Sequence, residues 1–518
     1  MASSFLWQEA ARWAAEKPGA EALVFGERRI SWSELSKSVD ALACGMLRAG
    51  VARGDCVAQI SMACPEFVIA FLAASRIGAV WVGLNPKQTR DELRRALEDC
   101  QPTLLLTIPG HAGKSLLETV QLFCCEFPCI LGAHVIGGAE DWPSFDELYA
   151  EVDEELLART CGDISPEDDC LLMYTSGSSG VPKGVLHCNR SLLANVDQEA
   201  PLFGIGNDSR ILLHFPINHV AADVEIALCA LHGGATIVLM DHFSPEDTLD
   251  TIEREGITVL GQVPLMYLLE FASPAFRPER LRGLKTLVWG GSAASPSLLE
   301  HLKIIGDLGG AAVITGYGAT EFGGFITVTD SDEQLLPGMV GRVYDNCEIK
   351  IVGADRMEVP AGTQGEIAVR GPVLMKGYLN KSQLTAEVMD GGGWFYTRDA
   401  GYLDEEGRLY ICGRLSEMYK SGGENVHPSE VEAVLDAHPK VMFSAVVGMP
   451  DALYDEVGHA FVMPHPGEEL TVEELRLYCR DSLAAYKIPK GFTICPELPL
   501  LPNGKVDKKG LIGLVGKD

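Results

Sequence analysis

The chain has 518 residues, a formal charge of −30, a hydrophobic fraction of 47% and 15 cysteines. Its length exceeds what one core supports and predicts about three folding units. The acidic balance argues against a nucleic-acid partner, because phosphate backbones would be repelled. No uncharged apolar run of about 18 residues is present, so no integral membrane segment is expected. The N-terminus lacks a basic region and meets an acid at Glu9, so no signal peptide is expected. The cysteines form no CxxC pair and no zinc-spaced cluster with histidine. Their odd number fits a reducing, cytoplasmic setting. Cys124, Cys125 and Cys129 read as partly buried thiols rather than as a metal site.

Taken in chain order, apolar spacing predicts helices over 32–47 and 67–77, and a strand of small apolar residues over 79–84. A charged helix over 90–97 and a strand over 103–107 follow. This alternation predicts a mostly parallel, helix-covered sheet. Leu171, Leu172 and Met173 then lead into the stretch 174–184, which reads YTSGSSGVPKG. A buried strand opening into a small, hydroxyl-rich loop lets backbone N–H groups and hydroxyls approach phosphate oxygens. Lys183 adds positive charge. The pattern differs from a Walker A loop, since Pro182 precedes Lys183 and Gly184 follows it. By composition alone the loop is equally a flexible surface connection.

Short apolar strands recur at 235–240, 259–260, 286–289 and 313–315, separated by helical stretches. Folds of this kind bind ligands at the carboxyl ends of their strands. Three motifs sit there: after Met173, after Trp289 (Gly290, Gly291, Ser292) and after Thr315. From residue 348 the strands become short (348–352, 366–370, 408–412), separated by glycine and acidic turns, which predicts a smaller β-rich unit. A last segment begins at Gly413 and Arg414 with its own βαβ rhythm over 444–449, 460–463 and 472–483.

Four further signatures follow the loop. They are Thr-Gly-Tyr-Gly-Ala-Thr-Glu at 315–321, Trp-Phe-Tyr-Thr-Arg-Asp-Ala-Gly-Tyr at 394–402, Gly413-Arg414 leading to Lys-Ser-Gly-Gly-Glu-Asn-Val-His-Pro at 420–428, and Leu-Pro-Asn-Gly-Lys at 501–505. In this order and spacing the set resembles the adenylate-forming superfamily of acyl-CoA and aryl-CoA synthetases, adenylation domains and luciferases. The resemblance spans nearly the whole chain. It implies an α/β fold: a large N-terminal domain of two helix-covered sheets plus a β-rich subdomain (1–413), a hinge (414–417) and a smaller, mobile α+β C-terminal domain (418–518). It also implies an acid–CoA ligase using ATP, Mg²⁺ and coenzyme A, acting as a monomer or homodimer on a small-molecule carboxylic acid. The alternative within the family is an amide ligase or carrier-protein loader sharing the first half-reaction. A rival from another class is a nucleotide-binding protein that no longer catalyses.

That chemistry needs these residue types. Adenylation turns a carboxylate oxygen into a leaving group, so two anions must meet under positive charge and oriented N–H groups. The resemblance assigns Thr175, Ser176, Gly177, Ser178, Ser179, Gly180 and Lys183 to the β- and γ-phosphates. It stacks Tyr317 on the adenine, keeps Gly316 and Gly318 among the nucleotide-binding positions, puts Thr320 at the α-phosphate and gives Mg²⁺ to Glu321. Asp399 would accept from the ribose hydroxyls, with Arg414 in support. Lys505 would bridge the reacting carboxylate and the α-phosphate, although Asn-Gly-Lys alone is an ordinary turn. Lys420, Gly422 and Gly423 would face the pantetheine arm in a second pose, while the same residues also read as a turn before a helix opening at Pro428.

The 421–428 stretch resembles free-standing ligases, and His219 matches a gate between the ATP and acyl sites. Acyl-pocket positions by resemblance are Val220, Ala221, Val224, Gly290, Gly291, Ser292, Ala319 and Phe322. Ala221 and Gly316 are small enough to permit a bulky acyl group. Asp223 and Glu225 read first as a solvated helix face; facing the pocket instead, they would call for a cation or several donors. Two positions depart from the family pattern. Ser416 stands at a hinge position commonly Asp or Lys. Arg398 stands where glycine often precedes the ribose aspartate, either near the nucleotide or toward solvent.

Overall fold

The computed structural model describes residues 3–175, 182–501 and 505–515. Two seven-stranded sheets dominate. The first runs Ala312–Thr315, Thr286–Trp289, Val259–Gln262, Arg210–Leu213, Thr236–Leu239, Glu21–Phe25, Arg28–Ser31. It is parallel except for its last pair. The second runs Gly377–Tyr378, Lys183–Cys188, Asp169–Thr175, Val80–Leu84, Cys56–Ile60, Leu104–Thr107, Gly132–Val135. Its inner strands are parallel, and Lys183–Cys188 returns antiparallel beside Asp169–Thr175. Strands such as Leu104–Thr107 are continuous apolar runs buried throughout, as suits a sheet covered on both faces.

Helix Pro65–Arg76 is buried along nearly its whole length, because it packs between the sheets. Helices Trp32–Arg48 and Arg90–Cys100 start at capping boxes built on Ser31 with Glu34 and on Thr89 with Glu92, which satisfy otherwise orphaned N–H groups. An antiparallel four-stranded sheet follows: Glu348–Val352, Gly365–Arg370, Phe395–Leu403, Leu409–Arg414. Residues 415–417 form a turn, and a five-stranded sheet begins at Tyr419–Ser421.

The βαβ rhythm expected for the last segment is only half present. Val441–Asp451 and Asp455–Pro464 pair as an antiparallel hairpin. The true crossover is the next one, through helix Val472–Ser482 to Gly491–Ile494, which lies parallel to Asp455–Pro464. Asp451 and Asp455 are paired partners, and that separation is long enough for a hairpin but too short for a crossover helix. This unit packs on the first sheet's helices: Met442 and Met463 join a core with Leu298 and Leu302. Among the described residues no helix is long and apolar enough to cross a membrane.

Candidate active site

The carboxyl ends of strands from both large sheets deliver the motifs to one region. Thr175 ends its strand directly opposite Lys183 on the return strand. The residues between them assigned to phosphate, Ser176, Gly177, Ser178, Ser179 and Gly180, lie outside the described residues. Lys183 Nζ sits 5.1 Å over the Tyr378 ring. The Tyr378 hydroxyl donates to Glu321 Oε1 at 2.9 Å. Burial lowers the Lys183 pKa, and the neighbouring charge of Arg398 lowers it further. A cation held this way gains from an incoming phosphate anion.

Tyr317 is buried and donates its hydroxyl hydrogen to Asp399 Oδ2 at 2.5 Å. Asp399 stands directly opposite Arg414 across an antiparallel pair. Arg414 Nε lies 3.5 Å from Asp399 Oδ1. Burial raises the Asp399 pKa, and the Arg414 guanidinium opposes that shift. Arg398, next in the strand, holds φ at 63°, a conformation natural to glycine. It is exposed, with its guanidinium 3.6 Å from Glu387, and its charge still reaches Lys183.

Thr320 and Glu321 lie on a short 3₁₀ turn, Thr320–Phe322. Behind it, buried His187 Nε2 lies 2.7 Å from the Thr320 carbonyl oxygen. A carbonyl accepts, so the His187 proton is on Nε2. Burial pushes the His187 pKa down to about 4, so the ring is neutral. Neither His187 nor the Tyr378 contact is signalled by any local motif, since both act across separate strands. Phe322 is fully buried and packs edge-on to Tyr317 and Phe395, behind the site rather than lining it. The room implied by Gly316 is filled by the protein itself: a Cβ there would lie 2.1 Å from the Thr327 carbonyl oxygen. At Gly290 the Phe325 ring takes the space in the same way, and at Gly318 the Gly324 carbonyl oxygen does so together with that ring.

His219 opens the segment that carries the acyl positions. Its Nδ1 accepts from the Ala221 N–H at 3.2 Å, which leaves the ring proton on Nε2. Burial, then the charge of Lys505, hold its pKa down to about 3. Residues Ala221–Leu228 form a π-helix, a rare geometry common at functional sites. Val220, Ala221 and Val224 are buried, and Ala319 is half-buried.

The solvated face expected for Asp223 and Glu225 does not exist. The π-helix packs against helix Asn189–Leu202 and strand Gly324–Phe325, and of its residues only Glu225 keeps appreciable accessible surface. Asp223 is fully buried and neither carboxylate oxygen finds a hydrogen-bond partner among the described residues. Burial therefore raises its pKa well above the ordinary carboxylate range, leaving a neutral acid. Burial pushes Glu225 up to about 7.

Lys505 reaches into this region from the C-terminal segment. A Cβ placed on Gly291 would lie 3.0 Å from Lys505 Cε and 3.6 Å from Lys505 Nζ. Gly291, at φ 84°, is thus the surface on which the lysine lies, and Ser292 beside it is exposed. Burial lowers the Lys505 pKa, while Glu225 and Asp399 oppose the shift. Lys420 is exposed, on the hairpin of Tyr419–Ser421 and Glu424–Val426. Gly422 and Gly423 form its two-residue turn at φ 63° and 91°, the geometry of a type I′ turn. The glycine pair has a structural reason to be there.

Tyr317, Asp399, Lys183, Glu321 and Lys505 are thus brought together from separate sheets, Lys505 from the C-terminal segment. The chain's residues 10–379 match the AMP-binding enzyme family, and residues 430–505 match the AMP-binding enzyme C-terminal domain. It is 33% identical to an indoleacetate–CoA ligase of Aromatoleum aromaticum over 98% of this chain and 97% of that protein. It is 34% identical to a feruloyl-CoA synthase of an Amycolatopsis species over 96% of each. Its fold matches an anthranilate CoA ligase, AuaEII, in complex with anthranoyl-AMP, with a TM-score of 0.87 at 24% identity over 98% of this chain and 97% of that one. The chain belongs to the AMP-binding enzyme family, in its acyl- and aryl-CoA synthetase branch.

Proposed function

We propose that this ligase activates an aromatic or arylalkanoic acid as its acyl-adenylate and passes the acyl group to coenzyme A. The relatives acting on indoleacetate and ferulate support that acid class. The observation that carries the site reading is Lys505 lying against Gly291, in reach of Asp399. An ammonium there meets the carboxylate and the α-phosphate together, and it opposes the negative charge that grows as the acyl oxygen attacks phosphorus. Tyr317 and Asp399 hold the adenosine end, Lys183 the outer phosphates, and Thr320 the α-phosphate. His219, neutral and donating from Nε2, separates the two substrates.

Mg²⁺ fits the donor set. Glu321 offers one carboxylate oxygen free of the Tyr378 bond, and Mg²⁺ takes one or two carboxylates plus substrate phosphates. When bound it would neutralise phosphate charge. No group of three or more acidic, histidine or cysteine ligands occurs among the described residues, in keeping with a metal held partly by ATP.

The C-terminal unit, 418–518, turns on 414–417 between half-reactions, so that Lys505 leaves and the Gly422–Gly423 turn approaches. The short turn between two separate sheets is in keeping with that swing. A cytoplasmic location accords with fifteen free cysteines. The test is mass spectrometry of the enzyme with Mg-ATP, CoA and a panel of aliphatic, aromatic and zwitterionic acids. An aryl-CoA mass supports the reading; thioesters from aliphatic acids alone would sink the acid class, and AMP without thioester would redirect the acceptor to an amine or carrier protein.

A further inference from the structure

Along the π-helix Ala221–Leu228 every residue is buried except Glu225, which keeps accessible surface although protein surrounds it. It therefore faces an internal space. Among the described residues no hydrogen bond or ion pair reaches its carboxylate. Lys505 is the cation whose field reaches it, so this space adjoins the point where the reacting carboxylate lies.

A second acid shares the neighbourhood. Glu199, on helix Asn189–Leu202, is fully buried and lies in the field of Glu225. Its Oε1 accepts from the Phe325 N–H at 3.2 Å, and its Oε2 lies 3.6 Å from Cys229 Sγ. Gly324, at φ 140°, lets its backbone pack close against both side chains: a Cβ there would lie 2.8 Å from Glu199 Oε2 and 3.0 Å from Asn195 Oδ1. Asn195 Nδ2 is committed to the carbonyls of Phe322 and Phe325, which fixes the amide and turns Oδ1 inward. Among the described residues, that oxygen and the Tyr344 hydroxyl are both buried without a partner. Tyr344 lies in the field of Glu199 and Glu225.

Glu225, Glu199 and the Asn195 oxygen make the inner end of the acyl site rich in acceptors, with the Tyr344 hydroxyl and the Cys229 thiol as its donors. Burial and the charge of Glu225 both raise the Glu199 pKa, so Glu199 holds its proton and the negative charge of the pair falls to Glu225. Buried acceptors left unpaired are unfavourable, so they discriminate strongly for a ligand that supplies the missing donors. A methyl group would leave them unpaired, and a phenol brings further acceptor lone pairs along with its one donor. An amine or ring N–H supplies donors, and an ammonium also complements the charge.

We propose that Glu225, backed by Glu199, selects a carboxylic acid bearing a nitrogen donor away from its carboxylate. This rests on the ligase reading above and names the substrate class of that same site. The test compares isosteric acids, 3-(4-aminophenyl)propanoate and indole-3-acetate against 3-(4-methylphenyl)propanoate and 1-benzothiophene-3-acetate, by pyrophosphate release and thioester mass. The wild type is expected to favour the N–H acids at least tenfold in kcat/KM. Glu225→Leu is expected to reverse that preference, and Glu225→Gln to reduce it while retaining turnover. Thermal melts of both variants distinguish misfolding from altered choice, and Glu225→Gln keeps the test valid should Glu225→Leu not fold. Thioesters formed equally from both members of each pair, or a preference unchanged in Glu225→Gln, would overturn this inference alone. Absence of AMP and thioester with every acid would overturn the ligase reading with it.

Discussion

Lys505 lies along Gly291, so that a Cβ at 291 would sit 3.0 Å from Cε of the lysine that reaches in from the C-terminal segment and would crowd it. The pair joins two distant parts of the chain at the place where carboxylate and α-phosphate would meet. Replacing Lys505 by alanine is expected to reduce adenylation by on the order of a hundredfold or more. Thioester formation from supplied acyl-adenylate should persist. Separate assay of the two half-reactions checks this; equal loss in both would count against the swing.

Lys508 ties the same segment to the turn. Its Nζ lies 3.0 Å from Glu417 and 2.9 Å from Glu432. Both acids raise its pKa against the effect of burial. Lys508→Met should lower the adenylation rate by displacing Lys505, with thioester formation from supplied adenylate much less affected. A loss confined to thioester formation would show that these ion pairs serve the other pose.

Tyr317→Phe removes the 2.5 Å hydrogen bond to Asp399. A hydrogen bond to a charged acceptor contributes about 1.5 kcal/mol, so KM for ATP should rise roughly tenfold. KM for the acid should stay nearly constant. Isothermal titration of ATP and steady-state kinetics measure the two effects.

Arg398→Gly relieves a left-handed backbone that disfavours side chains by about 1 kcal/mol. The variant should melt higher. It should also bind ATP more weakly, since it removes a positive charge in reach of Lys183. A variant that melts lower would place the arginine's value in its Glu387 pair.

His187 is held neutral, its pKa moved from 6.5 down to about 4. The unfolded chain therefore binds the proton first as pH falls. The stability this residue contributes is complete above about pH 6.5 and is lost as pH drops toward 4. His187→Gln should shrink that acid sensitivity in urea unfolding at pH 5 relative to pH 7.5. An identical pH profile for both proteins would rule out the assignment.

Much of this architecture could be read from the residues. Periodicity located helices Trp32–Arg48 and Arg90–Cys100 to within a few positions, because apolar spacing records which face is buried. The ordered motifs pointed to the AMP-binding enzyme family, since phosphate, ribose and acyl chemistry each demand particular residues at strand ends. Local rules failed where long-range packing rules. The C-terminal hairpin was mistaken for a βαβ unit, because apolar strands read alike whichever way they pair. Asp223 and Glu225 read as a solvated face because charge in a helix usually means water; the neighbouring helix and strand bury Asp223 and leave Glu225 only partly accessible. Gly316 suggested pocket space, which the Thr327 carbonyl occupies. Sequence alone determined the chemistry available at each strand end. Only the tertiary structure decided which charges are buried together, since desolvation depends on what packs from elsewhere in the chain.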